Sequence, residues 1–238
     1  RPPERARDAG AIYDAFRSDA RVDPRRMGVW GFSNGGWTAP IVAVDRPMAF
    51  MILKSAPAES IEQNTLYEQR QAMQRAGHGA VDVDAANAAL ETLMAAIQGR
   101  VPVATAQKVY ARAKHTKWFD DSFLPLFPEK TAFAEPQLSG WRRYVTYDPA
   151  PILAKVRTPT LALYGARDRK VDVHHDVPLL VAAYDRSKTR DLTVKWFADA
   201  GHPLKVSPNG FDDAVPQRYD PGFPEVMLRW LRERNFIR

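Results

Sequence analysis

Short apolar runs separated by segments of helical period constrain this chain more than any other feature. A run of five or six residues that is apolar throughout fits a strand covered on both faces. Residues 27–32 and 49–53 are such runs, and residues 160–164 and 192–197, largely apolar but with Thr160, Thr193 and Lys195 among them, also read as strands. Segments 6–16, 35–44, 177–184 and 224–234 place apolar residues at helical spacing around them. Val22-Asp23-Pro24 supplies a turn before the first run. Strands that alternate with helices predict an α/β fold built on a mostly parallel sheet.

The alternation is interrupted. Residues 61–75, 84–98 and 104–114 are long, rich in Ala, Gln and Arg, and helical in period, with no strand between them. Residues 118–141 are rich in Pro and aromatics and read as irregular. Alternation resumes after Asp148-Pro149. The expected organisation is an α/β core from residues 1–56 and 149–238 with a helical cap inserted at 57–148. A length of 238 residues and a 45% hydrophobic content suit one domain with one large insertion. There is no internal repeat.

Gly31-Phe32-Ser33-Asn34-Gly35 lies between the first run and the helix behind it. As a bare Gly-x-Ser-x-Gly pattern it is weak, but a strand before it and a helix after it are the setting such a serine needs. A sharp turn there lifts the hydroxyl out at the carboxyl edge of the sheet. Side chains two positions before or after would crowd it, which predicts glycine at 31 and 35. The helix start places backbone N–H groups near developing negative charge, so the Asn34 N–H is expected to form half of an oxyanion hole. The plain alternative is an ordinary strand–turn–helix connection.

A serine hydroxyl needs a base to take its proton. Among five histidines, His202 in Ala200-Gly201-His202-Pro203 follows the run at 192–197, where loops at strand ends carry chemistry. His174 and His175 precede a predicted helix, and His78 and His115 lie in or near the helical block, so all four read as solvated. The carboxylate that orients the base is expected in the loop after 160–164, with Asp168 the first candidate and Asp172 the runner-up. The order Ser33, Asp168, His202 is the one expected for this kind of fold.

Three stretches resemble the α/β-hydrolase superfamily, near dienelactone-hydrolase-like esterases and prolyl-oligopeptidase-like enzymes. They are Val22 through Gly36, Pro159 through Asp168, and Ala200-Gly201-His202. Asp148-Pro149-Ala150-Pro151 is similar to bacterial members with a helical cap. The resemblance covers residues 5–55 and 145–238, with the cap only loosely matched. In that family the nucleophile follows a strand well inside the sheet, whereas here it follows the first clear strand. The resemblance therefore implies the C-terminal portion of such a domain, with the first strands supplied by an upstream segment or a separate chain. Four parallel strands alone would leave an open edge.

These readings give a serine hydrolase that cleaves a carboxylic ester through an acyl-enzyme, acting on a small-molecule acyl substrate. Rival readings are a prolyl-oligopeptidase-like peptidase, an acyl-CoA thioesterase or acyltransferase, and, from another class, a non-catalytic binding module. Trp37, Trp118 and Trp141 are candidate substrate contacts, and each reads equally well as a packing residue. No cofactor and no metal is expected. Cysteine is absent, there is no His-Glu-x-x-His, phosphate-loop or dinucleotide glycine pattern, and the spacing of Asp168, Asp172 and Asp176 does not match a calcium loop. Lys and Arg number 34 against 28 acidic residues, a net charge of +6, but they are scattered and not interleaved with aromatics, so no nucleic-acid partner is expected. No membrane-spanning run and no signal-like apolar run at residues 1–7 is present, and the lack of cysteine suits the cytoplasm and the periplasm equally.

Overall fold

A computed structural model describes residues 1–127, 132–187, 191–211 and 218–238. They divide into two compact units, residues 1–59 with 149–238, and residues 60–148.

The first unit holds a parallel four-stranded sheet in the order β1 (Gly28–Phe32), β2 (Phe50–Lys54), β3 (Thr160–Gly165), β4 (Leu192–Phe197). Its register pairs Phe32 with Lys54, Lys54 with Leu163, and Gly165 with Phe197. The strands thus end together, and the residues that follow them share one edge. Side chains alternate between the faces, as the strand period of two requires. Met51, Leu53, Ala162 and Tyr164 point into one core, with residues of α1 (Pro2–Arg17), α2 (Gly35–Asp45) and α8 (Val173–Arg186). Ile52, Leu161 and Leu163 point into a second core, with Phe223, Trp230 and Leu231 of α9 (Gly222–Glu233). Both faces are covered, which is why β2 and β3 are apolar without alternation.

The second unit is helical: α3 (Ile61–Arg75), α4 (Ala80–Ile97), α5 (Val103–Ala113) and α6 (Gln137–Val145). A capping box starts α3: the Ser60 hydroxyl accepts from the Gln63 N–H while the Gln63 side chain reaches back to the Ser60 N–H. Leu90, Leu93, Met94 and Ile97 of α4 are fully buried in this unit's own core.

Several element boundaries differ from those expected. α1 begins at Pro2 rather than at residue 6, with prolines in its first turn, where a missing N–H costs no helical bond. α4 begins at Ala80 instead of 84. α8 begins at Val173 instead of 177, because the Asp172 carboxylate caps it by accepting from the His175 N–H. His174 and His175 therefore lie in the first turn of α8 and not before it, and both are exposed. α6 begins inside the stretch read as irregular and runs four residues past it: Leu138, Trp141, Tyr144 and Val145 form one apolar stripe turned to the helical core. A four-residue helix, α7 (Ala150–Leu153), follows. Residues 128–131 of the stretch read as irregular lie outside the described residues.

Candidate active site

Ser33 follows the last residue of β1 at φ +53, the left-handed region that a non-glycine residue occupies at a cost of about 1–2 kcal/mol. Its N–H donates to the Lys54 carbonyl at 3.0 Å, and its own carbonyl accepts from the Gly36 N–H at 2.7 Å. These bonds hold the turn between strand and helix. A Cβ at Gly31 would strike the Gly35 carbonyl, and one at Gly36 would strike Ala56. At Gly35, however, a Cβ meets nothing within 4 Å. The crowding expected at 31 and 35 is thus found at 31 and 36. Asn34 is the N-cap of α2, and its backbone N–H has no backbone acceptor among the described residues.

The loops after β3 and β4 meet at the same edge. Asp168 lies three residues past β3 and is 4% exposed; His202 lies five past β4 and is 5% exposed. Asp168 Oδ2 and His202 Nδ1 are 2.8 Å apart, and Asp168 Oδ1 accepts from the N–H groups of Lys170 (2.8 Å) and Val171 (3.0 Å). Both carboxylate oxygens are therefore fixed. Asp172, the other candidate, is engaged in capping α8. The His202 ring packs against Phe32, the neighbour of Ser33, with centroids 5.1 Å apart. No hydrogen bond joins Ser33 to His202 among the described residues; contacts of this kind commonly close only in the Michaelis complex.

Backbone contact locks the two loops together. The Arg167 N–H donates to the Ala200 carbonyl at 3.0 Å, and the Ala166 N–H to the Phe197 carbonyl at 2.9 Å. A Cβ on Gly165 would collide with the carbonyl oxygens of Ala200 and Gly201. Gly165→Ala is therefore expected to destabilise the protein by about 1–3 kcal/mol and to displace the His202 loop. Thermal unfolding together with activity checks this, and a variant with wild-type values for both would contradict it.

The remaining candidates are packed within their own units. Trp37 is 2% exposed and its indole N–H donates to the Glu59 carbonyl at 3.0 Å, so it is a core residue of α2. Trp141 packs between Phe127 and Tyr144 in the helical core. Trp118 is buried there too, along an open cavity of about 300 Å³ shared with Ala88, Thr92, Val109 and Arg112. His78 pairs with Asp121 at 2.8 Å in the helical unit, and the His174 ring lies against Trp196. No group of three or more His, Cys, Asp or Glu suited to a metal occurs among the described residues. No helix among them is long and apolar enough to cross a membrane.

Two groups near this edge carry no role in the sequence reading. Lys54 is largely buried, its ammonium 4.6, 5.1 and 5.1 Å from the ring centroids of Phe32, Tyr219 and Phe223. Burial, with Lys205 nearby, pulls its pKa below the usual lysine value. Asp176, in the first turn of α8, is fully buried. Its Oδ1 accepts from the N–H groups of Ala58 and Glu59, while Oδ2 has no partner among the described residues. Burial raises its pKa from 3.8 to about 7; the two N–H donors oppose this, and Asp172 and Asp168 add to it.

The sign of the pH effect follows from that shift. Between pH 3.8 and about 7 the native carboxyl keeps a proton that the unfolded chain has lost, so this group's contribution to stability falls as pH rises through that window. Asp176→Asn keeps an acceptor for the two N–H groups and never ionises. Its stability relative to wild type is expected to grow from pH 4 to pH 7, by on the order of a few kcal/mol. Denaturant unfolding at several pH values checks this, and a constant difference would contradict it.

No family model and no curated protein matches the chain. Solved structures do. The DcsB complex with its substrate analogue is 15% identical, with a TM-score of 0.51, over 98% of this chain and 73% of that one. Dipeptidyl peptidase 4 of Porphyromonas gingivalis is 12% identical with a TM-score of 0.49, over 96% of this chain. Acetyl xylan esterase 1 from Thermoanaerobacterium sp. is 16% identical with a TM-score of 0.47, over 95% of this chain. The chain spans 22% of the length of the peptidase and 51% of that of the esterase. Identities this low speak to fold alone. With a parallel sheet covered on both faces, and a serine in a left-handed turn between a strand and the helix behind it, the chain has the α/β-hydrolase fold.

Proposed function

We propose that the protein is a serine hydrolase that cleaves a carboxylic ester, with Ser33 as nucleophile, His202 as base and Asp168 as its orienting acid. One observation carries this reading most. A buried carboxylate, fixed through both oxygens, sits 2.8 Å from His202 Nδ1, at the sheet edge where Ser33 is held in its left-handed turn. An acceptor on Nδ1 selects the tautomer that leaves Nε2 free to take a proton. Ser33 Oγ attacks the ester carbonyl carbon as its proton passes to Nε2. The Asn34 N–H, at the start of α2, steadies the oxyanion. The imidazolium returns the proton to the departing alcohol, leaving an acyl-serine. Water, deprotonated by His202, then releases the acid and restores Ser33.

The open side of β1 supports a second element of the proposal. Among the described residues this strand has a single neighbour, and its Trp30 and Phe32 stay 48% and 41% exposed. Further strands, from an upstream segment or another chain, would complete the sheet there.

A panel of p-nitrophenyl esters and aminoacyl p-nitroanilides, tested on the full-length protein, separates the alternatives. Faster ester than anilide turnover is expected. Fast anilide and slow ester turnover would make the protein a peptidase, and turnover of neither, with no covalent labelling, would leave a binding module.

A further inference from the structure

We infer that Ser55 is a positioning residue for His202, its hydroxyl pinning the backbone of the base to the end of β2; this rests on the hydrolase reading. Ser55 directly follows β2 and is wholly buried. Its N–H donates to the Leu163 carbonyl at 2.8 Å, and its Oγ donates to the His202 carbonyl at 2.6 Å, across 147 residues of sequence. The preceding residue performs the matching task for the nucleophile, since the Lys54 carbonyl accepts the Ser33 N–H at 3.0 Å. Two consecutive residues of one strand end therefore fix the backbones of both partners in the proposed proton transfer. A proton moves efficiently only when donor and acceptor are held within a few tenths of an ångström, and a displacement of about 1 Å can cost 100-fold.

The backbone at Ser55 argues for a use of its side chain. Its φ is +44, where glycine carries no steric penalty and a residue with a Cβ is strained. A buried hydroxyl adds a desolvation cost unless it is bonded. The bond to His202 offsets both. Ser55 is not itself a second nucleophile: it is inaccessible and its proton is committed to a carbonyl.

The competing explanation is that this bond only stabilises the fold, and glycine separates the two. Ser55→Gly relaxes the left-handed residue but frees the His202 carbonyl. Ser55→Ala keeps the strain and loses the same bond. In the full-length protein, the rate of fluorophosphonate labelling would be measured against probe concentration for both variants, corrected for the fraction folded by thermal unfolding. For each, the maximal labelling rate is expected to fall about 10- to 100-fold, with the half-saturating probe concentration unchanged. Ser55→Gly should melt no lower than Ser55→Ala. Wild-type maximal rates per folded molecule in either variant would overturn the inference, as would failure of both to fold. Ser33→Ala, run beside them, keeps the two levels apart. If that variant still labels, the hydrolase reading fails; if it does not label while the Ser55 variants label normally, only the positioning role fails.

Discussion

Ser33→Ala in the full-length protein is expected to abolish reaction with a fluorophosphonate and to lower ester turnover by roughly 10⁶ in kcat. Removing the hydroxyl removes the atom proposed to form the covalent bond. Stability should hardly move. Ser33 sits at φ +53, and alanine meets the same backbone penalty there as serine. The bonds that hold the turn, from the Ser33 N–H to Lys54 and from the Gly36 N–H to Ser33, are made by the main chain and survive the substitution. A melting temperature near that of the wild type with no covalent adduct is the expected pair of results. An adduct formed at an undiminished rate would remove Ser33 from the mechanism.

Asp168→Asn should cost roughly 10⁴ in kcat while leaving substrate binding largely intact. Asparagine fits the same space, and in one of its two flips its oxygen still accepts from the N–H groups of Lys170 and Val171. Toward His202 Nδ1, however, it presents an amide N–H or a neutral oxygen instead of a carboxylate. The first selects the wrong imidazole tautomer, and the second fails to stabilise the imidazolium. Asp172→Asn is the natural contrast. Asp172 caps α8, and asparagine is as good a cap as aspartate, so activity and stability should both stay close to wild type. Steady-state kinetics on the two variants decides between the carboxylates, and a larger loss at Asp172 would reverse the assignment.

The fold was legible where local pattern and burial agree. β2 and β3 are covered on both faces, and each shows as an uninterrupted apolar run. The glycines around Ser33 were legible as a pattern but only partly as physics, since Gly35 faces open space and Gly36 makes the close approach to Ala56. α6 was hidden because its first five residues lie in a stretch of prolines and aromatics, where tertiary packing of Leu138, Trp141 and Tyr144 decides the outcome. The start of α8 was not legible from apolar spacing, because it is set by the Asp172 cap, four residues before the helical pattern at 177 becomes clear.

The residues proposed to act were visible as motifs at strand ends, but what supports them was not. Nothing local marks Ser55, whose partner lies 147 residues away, or Asp176, whose donors Ala58 and Glu59 precede it by more than a hundred residues. Lys54 reads as an ordinary polar end to an apolar strand until Phe32, Tyr219 and Phe223 are seen around it. Trp37, Trp118 and Trp141 illustrate the converse. Aromatic residues catch the eye in a sequence, yet here each is packed within the core of its own unit.

Locating the adduct left by a fluorophosphonate on the full-length wild-type protein tests the proposed chemistry most directly. Cleavage after Arg26 and Lys54 isolates residues 27–54, with Ser33 their sole serine. Mass spectrometry should find the added phosphonyl group in this peptide and its fragments should place it on Ser33. An adduct carried by any other residue, with residues 27–54 recovered unmodified, would contradict the assignment of the nucleophile.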